Sequence, residues 1–99
     1  MIRFGVIGYG YWGPNIVRNL HGLDSTRVTM VSDKSAAALA RVRKAYPEIQ
    51  AVADPMEIVR SPDIDVVAVI TPVWTHYELA RMGLETDSHG GSHILVYWK

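Results

Sequence analysis

Three glycines, Gly8, Gly10 and Gly13, stand in the segment GYGYWG with the spacing that backbone-mediated phosphate binding requires. The first glycine permits a tight turn, the second leaves no side chain between main chain and pyrophosphate, and the third lets a helix pack closely on a strand. Amides near Tyr11 and Trp12 would then face the phosphates at the positive end of that helix. A plain glycine-rich turn is the alternative. Asp33 follows Gly13 by twenty residues, and a carboxylate there would accept hydrogen bonds from adenosine ribose hydroxyls and repel a 2′-phosphate. Lys34 and Ser35 beside it could hold that phosphate, so the pattern favours NAD and leaves NADP open. Asp33 could also cap the helix after it.

Such chemistry needs a strand ending at Gly8 and a helix opening by Gly13. Ile2 to Ile7 suits the strand, and a helix is expected from near Tyr11 to Leu20, with Trp12, Ile16 and Leu20 on one face and Gly22 stopping it. A second strand is expected over Arg27 to Ser32. The next helix should run from about Ser35 to Ala45, burying Leu39, Val42 and Tyr46, with Pro47 beyond its end. A short strand near Ile49 to Val52 precedes a helix that Asp54 can cap, Pro55 can open and Glu57 can close as a capping box. Ser61 and Pro62 end that helix. Val66 to Ile70 is apolar throughout, as a central strand covered on both faces must be. Thr75 to Glu78 forms another capping box, with Trp74 and Leu79 as a hydrophobic staple, for a helix ending near Glu85. Ile94 to Tyr97 supplies a fifth strand. The alternation predicts an α/β fold: a Rossmann-type doubly wound parallel sheet of four or five strands, order 3-2-1-4-5. The ligand would lie across the carboxyl ends of strands 1 and 4.

At 99 residues the chain fits a single domain. Ten basic residues balance ten acidic ones, which leaves no positive excess for a nucleic-acid backbone or an anionic membrane. With no cysteine, disulfides, thiolate metal sites and cysteine nucleophiles are excluded. The first apolar stretch is broken by Arg3 and Gly5, unlike a signal-peptide core, and no apolar run approaches the roughly 18 residues of a spanning helix. A cytoplasmic protein is the expectation.

The segments VIGYGYWGPNIVRNL, SDKS and DVVAVITPVWTHYELA, with a looser match at HILV, make the chain resemble the N-terminal domain of a known family. It comprises the glucose-fructose oxidoreductases, inositol dehydrogenases and MocA-like oxidoreductases. The resemblance covers residues 1 to about 85 and implies an NAD(P)-binding domain serving hydride transfer at a hydroxyl-bearing carbon of a sugar or cyclitol. It also implies that Thr71, Pro72 and His76 line the cofactor pocket near the ribose and nicotinamide. Family members continue through a short turn into a strand such as HVLVEKP, whose lysine contributes to catalysis, and then into a large substrate domain. Here the turn is TDSHGGS, and HILV is followed by Tyr97, Trp98 and Lys99. Aligned on the strand, Trp98 takes the lysine's place and Lys99 falls one position late, so no catalytic residue is assigned.

The expectation is therefore residues 1–99 as one NAD(P)-binding domain, 86–99 divergent, truncated before a substrate domain and without turnover alone. A subunit completed in trans, or a nucleotide-sensing or protein-interaction module, are the alternatives. An uncovered fifth strand would expose apolar side chains and unpaired amides, so self-association through this C-terminal edge is expected. Asp87, His89 and His93 have a spacing that could suggest a metal, but Gly90 and Gly91 break any common helical face, and no metal is expected. Trp12 and Trp74, at helix starts, suit packing, and Arg41, Arg43 and Lys44 suit a solvated helix face.

Overall fold

Each of the valine- and isoleucine-rich runs forms a strand. The computed structural model describes residues 1–10, 13–70 and the backbone of 94–98. Its elements are β1 (Ile2–Ile7), α1 (Gly13–His21), β2 (Thr26–Ser32), α2 (Ala36–Ala45), β3 (Gln50–Val52), α3 (Pro55–Arg60), β4 (Val66–Ile70) and β5 (Ile94–Trp98). They agree with the expected elements to within a residue or two at most ends. The expected helix over 75–85 lies outside the described residues.

The five strands take the expected order β3-β2-β1-β4-β5. β1 pairs in parallel with β2 on one side and β4 on the other, and β2 pairs in parallel with β3. The parallel sheet thus has four strands, because β5 joins β4 antiparallel, with Ile94 opposite Ile70 and Trp98 opposite Val66. An antiparallel neighbour starts beside the point where its partner ends. A parallel one would have to rejoin the sheet at the opposite edge through a crossover.

Helices cover both faces, which accounts for the unbroken apolar character of β4. On one face Val6, Val28, Val31, Ala68 and Ile70 pack with Val17 of α1 and with Ala38 and Val42 of α2. On the other, Ile7, Val67 and Val69 pack with Ile58 of α3 and with Ile64. All five residues of β4 are buried. In α1 the fully buried residue is Val17, with Ile16 and Leu20 only partly buried beside it, so the sheet-facing stripe is turned from the expected one. Gly13 and Val17, four apart, are its buried residues, and the glycine lets the start of α1 approach the turn after β1.

Caps set the helix starts. Ser35 Oγ accepts the Ala38 amide at 3.2 Å at the start of α2, and Asp54 Oδ1 accepts the Met56 amide at 2.9 Å at the start of α3. At the amino edge of the sheet Arg3 and Asp65 join β1 to the start of β4. The Arg3 amide and Nε donate to Asp65 Oδ2 at 2.9 and 3.2 Å, Nη2 donates to Oδ1 at 3.1 Å, and the Asp65 amide returns a bond to the Arg3 carbonyl at 2.8 Å.

Candidate functional site

The strand order reverses at β1, whose neighbours are β2 on one side and β4 on the other. Crevices outside the carboxyl ends of strands form at such reversals, since the connections on the two sides leave in opposite directions. The glycine segment lies there. Gly8 follows β1 with φ 104°, a conformation open to glycine and costly for other residues, and its amide donates to the Ser32 carbonyl at 2.8 Å. The turn is thereby tied to the end of β2.

The three glycines differ in what surrounds them. A Cβ on Gly13 would lie 2.8 Å from the Gly8 carbonyl oxygen, so this glycine serves contact between α1 and the turn. A Cβ on Gly10 would meet nothing within 4 Å among the described residues. Gly10 is exposed, and main chain there faces open space. This is the arrangement a pyrophosphate needs, with close approach permitted by the missing side chain and the turn before it held through the Gly8 amide. Tyr11 and Trp12 lie outside the described residues.

Asp33, directly after β2, is half-buried and faces the same turn. Its Oδ2 accepts the Tyr9 amide at 2.7 Å, its Oδ1 accepts the Ser35 amide at 2.8 Å, and its own amide donates to the Val52 carbonyl at 3.2 Å. The capping role considered for Asp33 is corrected: Ser35 caps α2, because its side chain, two positions later, reaches the Ala38 amide. An ionised carboxylate has about four acceptor sites, so two backbone bonds leave room for ribose hydroxyls. Lys34 is exposed beside it. Thr71, Pro72 and His76 lie outside the described residues, as do Asp87, His89, His93 and Lys99.

Tyr9 escaped the sequence reading. The residue is 4% exposed and packs in the core with Val17, Ala38 and Val42, anchoring the turn between α1 and α2. Burial pushes its hydroxyl pKa up, Tyr46 adds to the effect and Arg41 opposes it. An aromatic residue set between two glycines at a strand end was the available signal.

Among the described residues no group of three histidine, cysteine, aspartate or glutamate side chains is placed to hold a metal ion. No helix among them is long and apolar enough to cross a membrane.

Residues 2–96 match the family model described as an oxidoreductase family with an NAD-binding Rossmann fold. The chain is 30% identical over 96 residues to the uncharacterized oxidoreductase YdgJ of Escherichia coli K12, covering 96% of this chain and 26% of that protein. It is 38% identical over 76 residues to inositol 2-dehydrogenase 2 of Paenarthrobacter aurescens, covering 76% of this chain and 22% of that enzyme. A crystal structure of a probable dehydrogenase from Thermotoga maritima superposes with a TM-score of 0.74 at 31% identity, over 82% of this chain and 24% of the other. The chain therefore spans about a quarter of the length of these relatives. With the glycine turn and Asp33 meeting where the strand order reverses, and with the family match running over nearly the whole length, the chain belongs to the glucose-fructose oxidoreductase, inositol dehydrogenase and MocA family as an NAD(P)-binding Rossmann domain.

Proposed function

We propose that residues 1–99 form one domain that holds NAD(H) for a sugar or cyclitol oxidoreductase, and that these residues alone bind the cofactor without turnover. The observation that carries this reading is the open main chain at Gly10 beside the Asp33 carboxylate, both at the carboxyl edge of the sheet. In this reading Gly8, Gly10, Tyr11, Trp12 and Gly13 surround the pyrophosphate, Asp33 and Lys34 meet the adenosine ribose, and Thr71, Pro72 and His76 border the ribose and nicotinamide. The bound nicotinamide supplies the acceptor for a hydride from a carbon bearing a hydroxyl. The protein's part here is to bind and orient; the hydroxyl proton is handled by groups from the remainder of a longer enzyme or a partner. A cytoplasmic setting, where dinucleotides are abundant, belongs to the same proposal. So does self-association through β5, which ends the sheet order and pairs only with β4 among the described residues.

Asp33 makes NAD the preferred cofactor, since its charge repels a 2′-phosphate more directly than the exposed Lys34 attracts one. Calorimetric or NMR titration should give an affinity for NAD of order 10 μM to 1 mM, with NADP weaker. Absence of shifts at Gly8, Gly10 and Asp33 in millimolar NAD would reject the reading. Tighter binding of NADP would show that Lys34 and Ser35 dominate. Reduction of NAD by the isolated chain with inositol or glucose above about 1 per second would reject the lack of turnover.

A further inference from the structure

We propose that Asp33 is a positioning residue for the glycine turn, holding Tyr9 and hence Gly10 in the shape that receives the pyrophosphate, in addition to any contact it makes with the ribose. This rests on the dinucleotide reading above and adds a second task to the same side chain.

The turn is restrained from two sides at Tyr9. The ring is buried among Val17, Ala38 and Val42, and the amide of the same residue donates to Asp33 Oδ2 at 2.7 Å. The preceding residue, Gly8, is held by the Ser32 carbonyl, so two consecutive amides of the turn are tied to consecutive residues at the end of β2. Asp33 is itself fixed, through its amide to Val52 of β3 and through Oδ1 to the Ser35 amide. The next residue after Tyr9 is Gly10, where a Cβ would meet nothing within 4 Å among the described residues. Its placement therefore depends on its neighbours.

Two N–H donors converge on one side chain, one on each oxygen. Only a group that accepts on both atoms satisfies them. Asparagine must turn its NH2 toward one of the two amides, donor against donor, and alanine leaves the Tyr9 amide, close to a buried ring, without its partner. An aspartate is thus required by the turn whichever dinucleotide binds. It follows that replacing Asp33 to admit a 2′-phosphate removes the repulsion and loosens the cradle together. NADP affinity in Asp33→Ala then stays below the affinity of the unaltered chain for NAD. Lys34, exposed and outside this arrangement, is the position at which cofactor preference can change alone.

The test compares the unaltered chain, Asp33→Ala and Asp33→Asn by NMR titration with NAD and with 2′,3′-dideoxyADP. The second probe keeps the pyrophosphate and lacks the ribose hydroxyls. Amide hydrogen exchange is measured alongside without ligand. The expected result is that Asp33→Ala weakens dideoxyADP binding about tenfold and that the Tyr9 amide loses protection while those of Val6 and Val31 keep theirs. Equal dideoxyADP affinity in the unaltered chain and Asp33→Ala, with weaker NAD binding only in the variant, would overturn the inference and leave Asp33 a ribose ligand alone. Unchanged Tyr9 protection in the variant would also overturn it. Should Asp33→Ala fail to fold, Asp33→Asn carries both comparisons, with protection read at the Tyr9 and Ser35 amides together: asparagine can accept only one of them, so unchanged protection at both overturns the inference. If the unaltered chain binds neither probe, the dinucleotide reading falls and takes this inference with it, an outcome distinct from both of the others.

Discussion

Gly13 stands against Gly8 across the glycine turn so closely that a Cβ on Gly13 would lie 2.8 Å from the Gly8 carbonyl oxygen. The obstacle is backbone, and that backbone is held by the Gly8 amide bond to Ser32. Gly13→Ala must therefore displace α1 or distort the turn, and we expect a loss of about 1–3 kcal/mol in urea unfolding. Unchanged stability would mean that the turn gives way freely.

Gly10 fails differently. A Cβ there meets nothing within 4 Å among the described residues, and its φ lies outside the left-handed range, so Gly10→Val should fold with stability within about 0.5 kcal/mol of the unaltered chain. It should nonetheless lose NAD binding, because the side chain occupies the space left for the pyrophosphate. The pair of results, stability lost at Gly13 and binding lost at Gly10, checks that the motif is more than a turn.

Gly5 packs under α3. A Cβ on it would lie 2.5 Å from Ile58 Cγ2 and 2.8 Å from Ile64 Cδ1, and Ile58 is fully buried. Gly5→Ala should cost about 1–3 kcal/mol by overpacking. The cost should shrink when Ile58 is already alanine, which removes the nearest clashing atom. A double-mutant cycle on thermal unfolding reads this coupling, and strict additivity would count against the contact.

Arg3 holds the Asp65 carboxyl below the usual aspartate pKa, first through the side-chain hydrogen bonds and then through the Arg3 amide, against a smaller opposing effect of desolvation. A carboxyl whose pKa is lower folded than unfolded stabilises the fold above its unfolded pKa and loses that contribution as pH falls through its folded one. The window therefore opens near the ordinary aspartate value of about 4 and extends downward. Arg3 is shifted upward and keeps its charge throughout this range. Both side chains are about two-fifths exposed, so the effect is small. Asp65→Asn should lower the melting temperature at neutral pH and converge with the unaltered chain in strong acid. A difference that is constant from neutral pH into strong acid would exclude this account.

β5 occupies the end of the sheet order, and its second edge carries no strand among the described residues. Strand edges pair with other strands unless covered or charged. Sedimentation velocity should show mass increasing with concentration across the micromolar range; a monomer throughout would remove the proposed self-association.

The sequence by itself determined what depends on near neighbours and on pattern. The glycine spacing, the Asp54 cap two residues from its donor and the apolar run of β4 involve contacts or periodicities within a few residues. The alternation of strand and helix then limited the sheet to very few orders. Tertiary structure alone decided which atoms meet across the sheet. Asp33 and Tyr9 are 24 positions apart, and their bond exists because β1 and β2 end side by side, in a register shifted between Phe4 and Gly5. That Val17 faces the strands, that Gly5 makes room for Ile58 and that β5 runs opposite to β4 likewise depend on approaches between distant segments. Local propensity is blind to such approaches because their energy arises only once the two surfaces are in contact.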